Sequence, residues 1–118
     1  MPDRVLIVDD HVGFRQIARL LLEQIGRVVV GEAGTGAEAL SKARRLKPDL
    51  VLLDIQLPDV DGLAVAASLT AEGEPPAVVL VSSHDASDYG PRIEDSGALG
   101  FIAKADLSAE SLTALLEP

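Results

Sequence analysis

Short apolar runs alternate along the chain with longer stretches in which apolar residues return every three or four positions. The run "RVLIV" at 4–8 reads as a buried strand and ends on Asp9 and Asp10. Phe14, Ile17, Ala18, Leu21, Leu22 and Ile25 then recur at helical spacing over 14–25, on one face of a helix that Gly26 can stop. "RVVVG" at 27–31 is a second strand. Thr35 and Glu38 stand at capping-box spacing and open a helix that runs to about Lys47, where Pro48 ends it. "DLVLLD" at 49–54 is the third strand and "GLAVAASLTAE" at 62–72 the third helix. "PAVVLVSS" at 76–83 is the fourth strand. Gly90 and Pro91 then interrupt the pattern, which predicts a short fourth helix from near Pro91 to Gly97. "ALGFIAK" at 98–104 is the fifth strand, and Ser108 can cap a last helix carrying Leu112, Leu115 and Leu116.

Five strands, each followed by a helix, predict a fold of the α/β class: a doubly wound five-stranded parallel sheet with helices on both faces, a flavodoxin-like (βα)5 arrangement. Right-handed crossovers leave few strand orders, of which 2-1-3-4-5 is the common one. In that order the first and third strands are neighbours, and the topological switch lies where their carboxyl ends meet. Asp9, Asp10 and Asp54 then converge on one crevice.

Composition narrows the field. The chain has 118 residues, is 47% hydrophobic and only 3% aromatic, so one domain spanning 1–118 with a core of Val, Leu, Ile and Ala is expected. The absence of cysteine excludes thiolate metal sites and thiol catalysis. A formal charge of −9 argues against nucleic-acid binding by the bulk surface. Met1 is followed by Pro2, Asp3 and Arg4 rather than by a secretory leader, and no apolar run is long enough to cross a bilayer, so a cytoplasmic protein without membrane contact is expected.

Three carboxylates in one crevice repel one another and call for a cation. With oxygen donors only, the hard ion Mg²⁺ fits best. Ser82 and Ser83 end the fourth strand and Lys104 the fifth, on the same sheet edge. A metal, a carboxylate, a hydroxyl and an ammonium are the parts of a phosphoryl-transfer site. Asp54 is then the nucleophile, giving an acyl phosphate. Asp10 ligates the metal directly and Asp9 through water, while Lys104 and a serine hydroxyl meet the phosphoryl oxygens.

"VLIVDDH", "DLVLLDIQLPDVDG", "VVLVSS" and "GALGFIAKADLS" together resemble the successive motifs of response-regulator receiver domains of two-component signalling, over essentially the whole chain. The resemblance implies a phosphorylation-dependent switch that accepts a phosphoryl group on Asp54 from a sensor histidine kinase or phosphotransfer protein, and that is no enzyme beyond its own phosphotransfer and autodephosphorylation. It implies Asp9, Asp10, Asp54 and the Gln56 backbone carbonyl as metal ligands. Ser82 is the implied switch hydroxyl, with Ser83 the alternative if the register slips by one, and Phe101 is the implied aromatic switch. Output is implied through the face of helix 4, strand 5 and helix 5, to a downstream protein or a second copy. Gln56 and His84 match positions that influence how readily water reaches the acyl phosphate. The motif details are most similar to receivers that precede a LuxR-type helix-turn-helix domain, and no such domain is expected within these residues.

Each residue also has a plainer reading. Asp9 and Asp10 could cap the first helix, Asp54 could be a turn residue, Lys104 a solvated lysine, and Phe101 a core aromatic. His84 alone is weak evidence for a ligand. All of these must fall on one sheet edge by accident for the plain readings to hold together. Ala105 follows Lys104 where many receivers have proline, so a trans bond is expected there. A small-molecule phosphohydrolase is disfavoured because position 56 is glutamine rather than a second aspartate. A flavin module is disfavoured because Asp9-Asp10-His11 would repel a phosphate. A receiver that binds partners without being phosphorylated is the remaining alternative.

Overall fold

A computed structural model describes residues 4–117; the first three residues, on which the reading of the N-terminus partly rests, and Pro118 lie outside the described residues. The elements follow the expected alternation: β1 (Arg4–Val8), α1 (Val12–Gln24), β2 (Val28–Ala33), α2 (Gly36–Leu46), β3 (Leu50–Asp54), α3 (Gly62–Thr70), β4 (Ala77–Ser82), α4 (Arg92–Asp95), β5 (Gly100–Ala103) and α5 (Ala109–Leu116). All four strand pairings are parallel, in the order β2-β1-β3-β4-β5.

Central strands read as continuous apolar runs because both sheet faces are covered. On one face Leu6, Val8, Val51, Leu53, Val78 and Leu80 pack with Ala39 and Ala43 of α2 and Leu63, Ala66 and Leu69 of α3. On the other, Val5, Ile7, Leu50, Leu52, Val79 and Val81 pack with Ala18 and Leu22 of α1 and Leu112 of α5. Each fully buried Leu, Ile or Val contributes about 1.5–3 kcal/mol relative to exposure. This two-sided burial holds the three strand ends that carry Asp9, Asp54 and Ser82 in one fixed plane.

The helix ends follow from local chemistry. Thr35 Oγ1 accepts the N–H of Glu38 at the start of α2, while Glu38 reaches back to the N–H of Gly34 rather than closing on Thr35 itself. Lys47 turns left-handed (φ 49°) ahead of Pro48, and Gly26 (φ +85°) ends α1. Ser108 and Ser111 form a reciprocal capping box at α5.

Four expectations need correction. Ile17 does not join the buried face of α1; it is 57% exposed. Ala18 and Leu22 are the fully buried positions, and at 100° per residue Ile17 lies roughly 120° from their midpoint. β2 runs on to Ala33 instead of stopping at Gly31, because β1 continues to pair with it through Val8. α4 has only four residues, and a 3₁₀ turn at Ala86–Asp88 precedes it. β5 stops at Ala103, and Lys104 opens a second 3₁₀ turn to Asp106. No peptide bond among the described residues is cis, including that to Ala105.

Candidate functional site

At the carboxyl edge of the sheet, β1 hands over to α1 through Asp9 and Asp10. The Asp9 N–H bonds the carbonyl of Ala33 on β2, and Arg15 of α1 donates to the Asp9 carbonyl at 2.6 Å while its Nε reaches Glu32 at 2.9 Å. Arg19 joins the same Glu32, and the two guanidiniums, Arg19 first, hold the Glu32 carboxyl below its usual pKa against the opposing effect of burial. This lattice fixes where Asp9 points. Its side chain is fully buried, with Oδ1 accepting the His11 N–H at 2.8 Å.

Asp54 ends β3, opposite Val81 of β4, and is 2% exposed. Its Oδ1 accepts the Gln56 N–H at 3.0 Å. Gln56 pairs with Asp61 in an isolated antiparallel bridge, and Gly62 N–H returns to the Ile55 carbonyl at 2.7 Å. The loop that carries Gln56 is therefore closed on itself. Its two further acids are absorbed by helix ends: Asp59 accepts the N–H groups of Gly36 and Ala37 at the start of α2, which lowers its pKa, and Asp61 caps α3 through Leu63 N–H. Neither is left for the crevice.

Oxygen atoms of Asp9, Asp10 and Asp54, with a ring nitrogen of His11, lie within 4.8 Å of one another. Lys104 Nζ stands 2.6 Å from Asp9 Oδ2 and 3.3 Å from Asp54 Oδ2, and 4.4 Å over the ring of Phe14. The contact to Asp9 is an ion pair, close but not directed as a hydrogen bond, which leaves Asp9 Oδ2 buried without a hydrogen-bond partner. Burial pushes Asp54 up to about 6, with Asp9 adding to the rise, while the Gln56 N–H and Lys104 act against it. Burial acts to lower the Lys104 pKa, but the two carboxylates outweigh it and the ammonium is held above its ordinary value. Hard oxygen donors, a buried carboxylate oxygen that accepts no hydrogen bond and excess negative charge suit a small divalent cation.

The other residues singled out in the sequence form two further groups. Gln56, Ser83 and His84 meet at the rim: the Gln56 amide donates to His84 Nε2 at 3.0 Å, and Ser83 Oγ approaches Gln56 Oε1 at 3.4 Å. Behind them Ser82, fully buried, accepts the His84 N–H at 3.0 Å and lies 2.7 Å from the Tyr89 hydroxyl. Tyr89 in turn tilts against Phe101, ring centres 6.2 Å apart.

The sequence matches the family model described as the response regulator receiver domain over residues 5–117. The chain belongs to that family. Receivers are the phosphorylation-switch modules of two-component systems, and this one has the fold of its relatives. It is 43% identical over 111 residues to a candidate transcriptional regulator of Pseudomonas aeruginosa, covering 94% of this chain and 54% of that protein. It is 40% identical to BvgA of Bordetella pertussis, a candidate positive regulator of virulence-factor transcription, over 97% of this chain and 54% of BvgA. The receiver thus spans about half the length of the curated relatives it matches. Among solved structures, the signal receiver domain of NarL from Mycobacterium tuberculosis has a TM-score of 0.83 at 34% identity, with 99% of this chain and 98% of that one covered. CheY of Borrelia burgdorferi, solved in a complex with CheX, BeF3 and Mg²⁺, has a TM-score of 0.88 at 25% identity, covering 98% and 87%. LuxR-family regulators are among the structural neighbours. No helix among the described residues is long and apolar enough to cross a membrane.

Two residues of the receiver's site were not legible as such. His11 lies with its Nδ1 3.0 Å from Asp10 and 3.1 Å from Asp9, and its only signal was adjacency to the acidic pair. Tyr89, the one tyrosine of the chain, stands beside Gly90-Pro91, where the pattern announces a loop and gives no hint of a bond to Ser82.

Proposed function

We propose that this receiver accepts a phosphoryl group on Asp54 from a phosphohistidine of a sensor histidine kinase or phosphotransfer protein. The supporting observation is the placement of Asp54, a buried carboxylate at the β1/β3 switch point that shares one crevice with Asp9 and Asp10 and meets Lys104 at 3.3 Å. A carboxylate oxygen of Asp54 attacks phosphorus; the new O–P bond forms as the P–N bond to the donor imidazole breaks, and the imidazole leaves with the electron pair and takes up a proton. Lys104 faces the non-bridging oxygens as a fixed positive charge, and Ser82 rather than the exposed Ser83 supplies a hydroxyl donor. Asp9, Asp10, Asp54 and the Gln56 carbonyl would hold Mg²⁺, which when bound neutralises charge on the transferring group. The BeF3 and Mg²⁺ in the Borrelia relative support the same chemistry here.

The receiver turns over nothing but its own phosphoryl group, in the cytoplasm, and signals through α4, β5 and α5 to a downstream protein or a second copy. A groove of about 550 Å³ lined by residues including Phe101, Ala103, Ser111 and Leu115 supports the β5 and α5 part of that face as an output surface. Intact mass after incubation with acetyl phosphate, with and without Mg²⁺, tests the reading on the wild type and on Asp54→Ala. One phosphoryl group gained only with metal, absent in the variant and labile to hydroxylamine, is the expected result. No gain under any condition would leave a receiver that only binds.

A further inference from the structure

Ser82 ends β4 with its side chain fully buried, and its Oγ has two hydrogen-bond partners. The His84 N–H donates to its Oγ at 3.0 Å, and the Tyr89 hydroxyl lies 2.7 Å away. Phe101 has no hydroxyl, so Tyr89 supplies the phenol beside this serine. Its ring packs on the α2/α3 side of the core and tilts at 53° to Phe101. The backbone beneath it lies between the three-residue 3₁₀ turn and the four-residue α4, with Gly90 at φ +58° next in the chain.

From this we infer that Tyr89 is a positioning residue that holds the Ser82 hydroxyl in its resting orientation, and that its release is a step of the switch. The inference rests on the proposed phosphorylation of Asp54. A Ser82 hydroxyl that turns to a phosphoryl oxygen either leaves Tyr89 or draws the 85–91 segment after it. In both cases a part-buried hydrogen bond made in the resting conformer opposes the turn, and the 85–91 segment leads straight into α4. Coupling to the output face then runs through Tyr89 as well as Phe101.

Tyr89→Phe removes the hydroxyl and keeps the ring. Affinity for beryllofluoride in the presence of Mg²⁺, measured by calorimetry, reads the switch equilibrium, and a thermal melt checks folding. A net hydrogen bond of ordinary strength predicts that Tyr89→Phe binds about two- to tenfold more tightly than the wild type. In a Ser82→Ala background the same change should have no effect, which a merely structural tyrosine would not obey. Equal or weaker binding by Tyr89→Phe, or the same effect with Ser82 absent, overturns the inference while leaving the role of Asp54 intact. A folded wild type that binds no beryllofluoride with Mg²⁺ overturns that role, and the inference with it.

Discussion

Lys104 Nζ stands 3.3 Å from Asp54 Oδ2 although fifty positions separate the two residues. The same ammonium is 2.6 Å from Asp9 Oδ2. One cation therefore compensates two buried carboxylates, and removing it leaves both facing each other in a site of low dielectric. Lys104→Ala should lower the melting temperature of the metal-free protein at pH 7.5 by about 5–10 °C. Added Mg²⁺ should restore more stability to the variant than it adds to the wild type, since the crevice then lacks its resident charge. Melting curves with and without Mg²⁺ check both; a variant as stable as the wild type in EDTA would remove the ion pair from the account.

Asp54 makes the opposite contribution. Its carboxyl holds a proton up to about pH 6 in the folded chain, against an ordinary value of 3.8. Between those values the folded state binds the extra proton, so the stability tied to this group is complete below about pH 4 and lost as the pH rises through 6. Asp54→Asn removes the buried charge. In EDTA at pH 7.5 the variant should melt about 5 °C or more above the wild type, and the gap should shrink on acidification and vanish near pH 4. Differential melts across pH 4–8 read this group together with its interaction with Asp9, because Glu32 and the remaining carboxylates are common to both proteins. A gap that widened towards acid would contradict the burial argument.

The sheet was legible because its strands are buried on both sides and so appear as unbroken apolar runs: "VLIV" and "LVLL" admit little else between turn signals. Strand order then brought Asp9, Asp10 and Asp54 together without any coordinate. Helix faces were less legible. Ile17 has the right spacing to sit with Phe14 and Leu21, yet packing selects the line through Ala18 and Leu22 and turns Ile17 outward. Bonds between side chains on irregular backbone were not legible at all. Tyr89 reaches Ser82 because a 3₁₀ turn brings it back over the strand end, and periodicity carries no information about such a turn. Asp59 and Asp61 lie in the same loop as Gln56, and the helix N-termini beside them show that they cap.

Gly62 sets how closely the loop after β3 returns to the strand. A Cβ there would stand 2.2 Å from the Asp54 carbonyl oxygen and 2.7 Å from Ile55 Cα, both backbone atoms that cannot swing aside. Gly62→Ala should therefore cost about 1–3 kcal/mol or more and displace Gln56 from its hydrogen bond to Asp54. Urea denaturation reads the first effect. The second should appear as weaker Mg²⁺ binding in the fraction that remains folded, and a variant with wild-type stability and metal affinity would show that the loop has slack.

Gln56 and His84 close over the rim of the crevice, their side chains joined at 3.0 Å, with Ser83 against the Gln56 carbonyl oxygen. Each lies two residues beyond a residue of the site, and the two exposed side chains meet each other at the rim. If Asp54 carries an acyl phosphate, this pair is expected to screen it from water approaching over the rim. Truncating either side chain opens the same gap, so Gln56→Ala and His84→Ala should each shorten the lifetime of the phosphorylated protein, by about two- to tenfold if one ordinary hydrogen bond is at stake. Because the two groups act as one closure, the double variant should decay no faster than the quicker single variant, a non-additivity expected of residues in direct contact. Decay of the phosphorylated species followed by intact mass at fixed Mg²⁺ measures all four rates. Lifetimes that multiply independently would mean that the two side chains act on water separately, and unchanged lifetimes would mean that the pair does not guard the site.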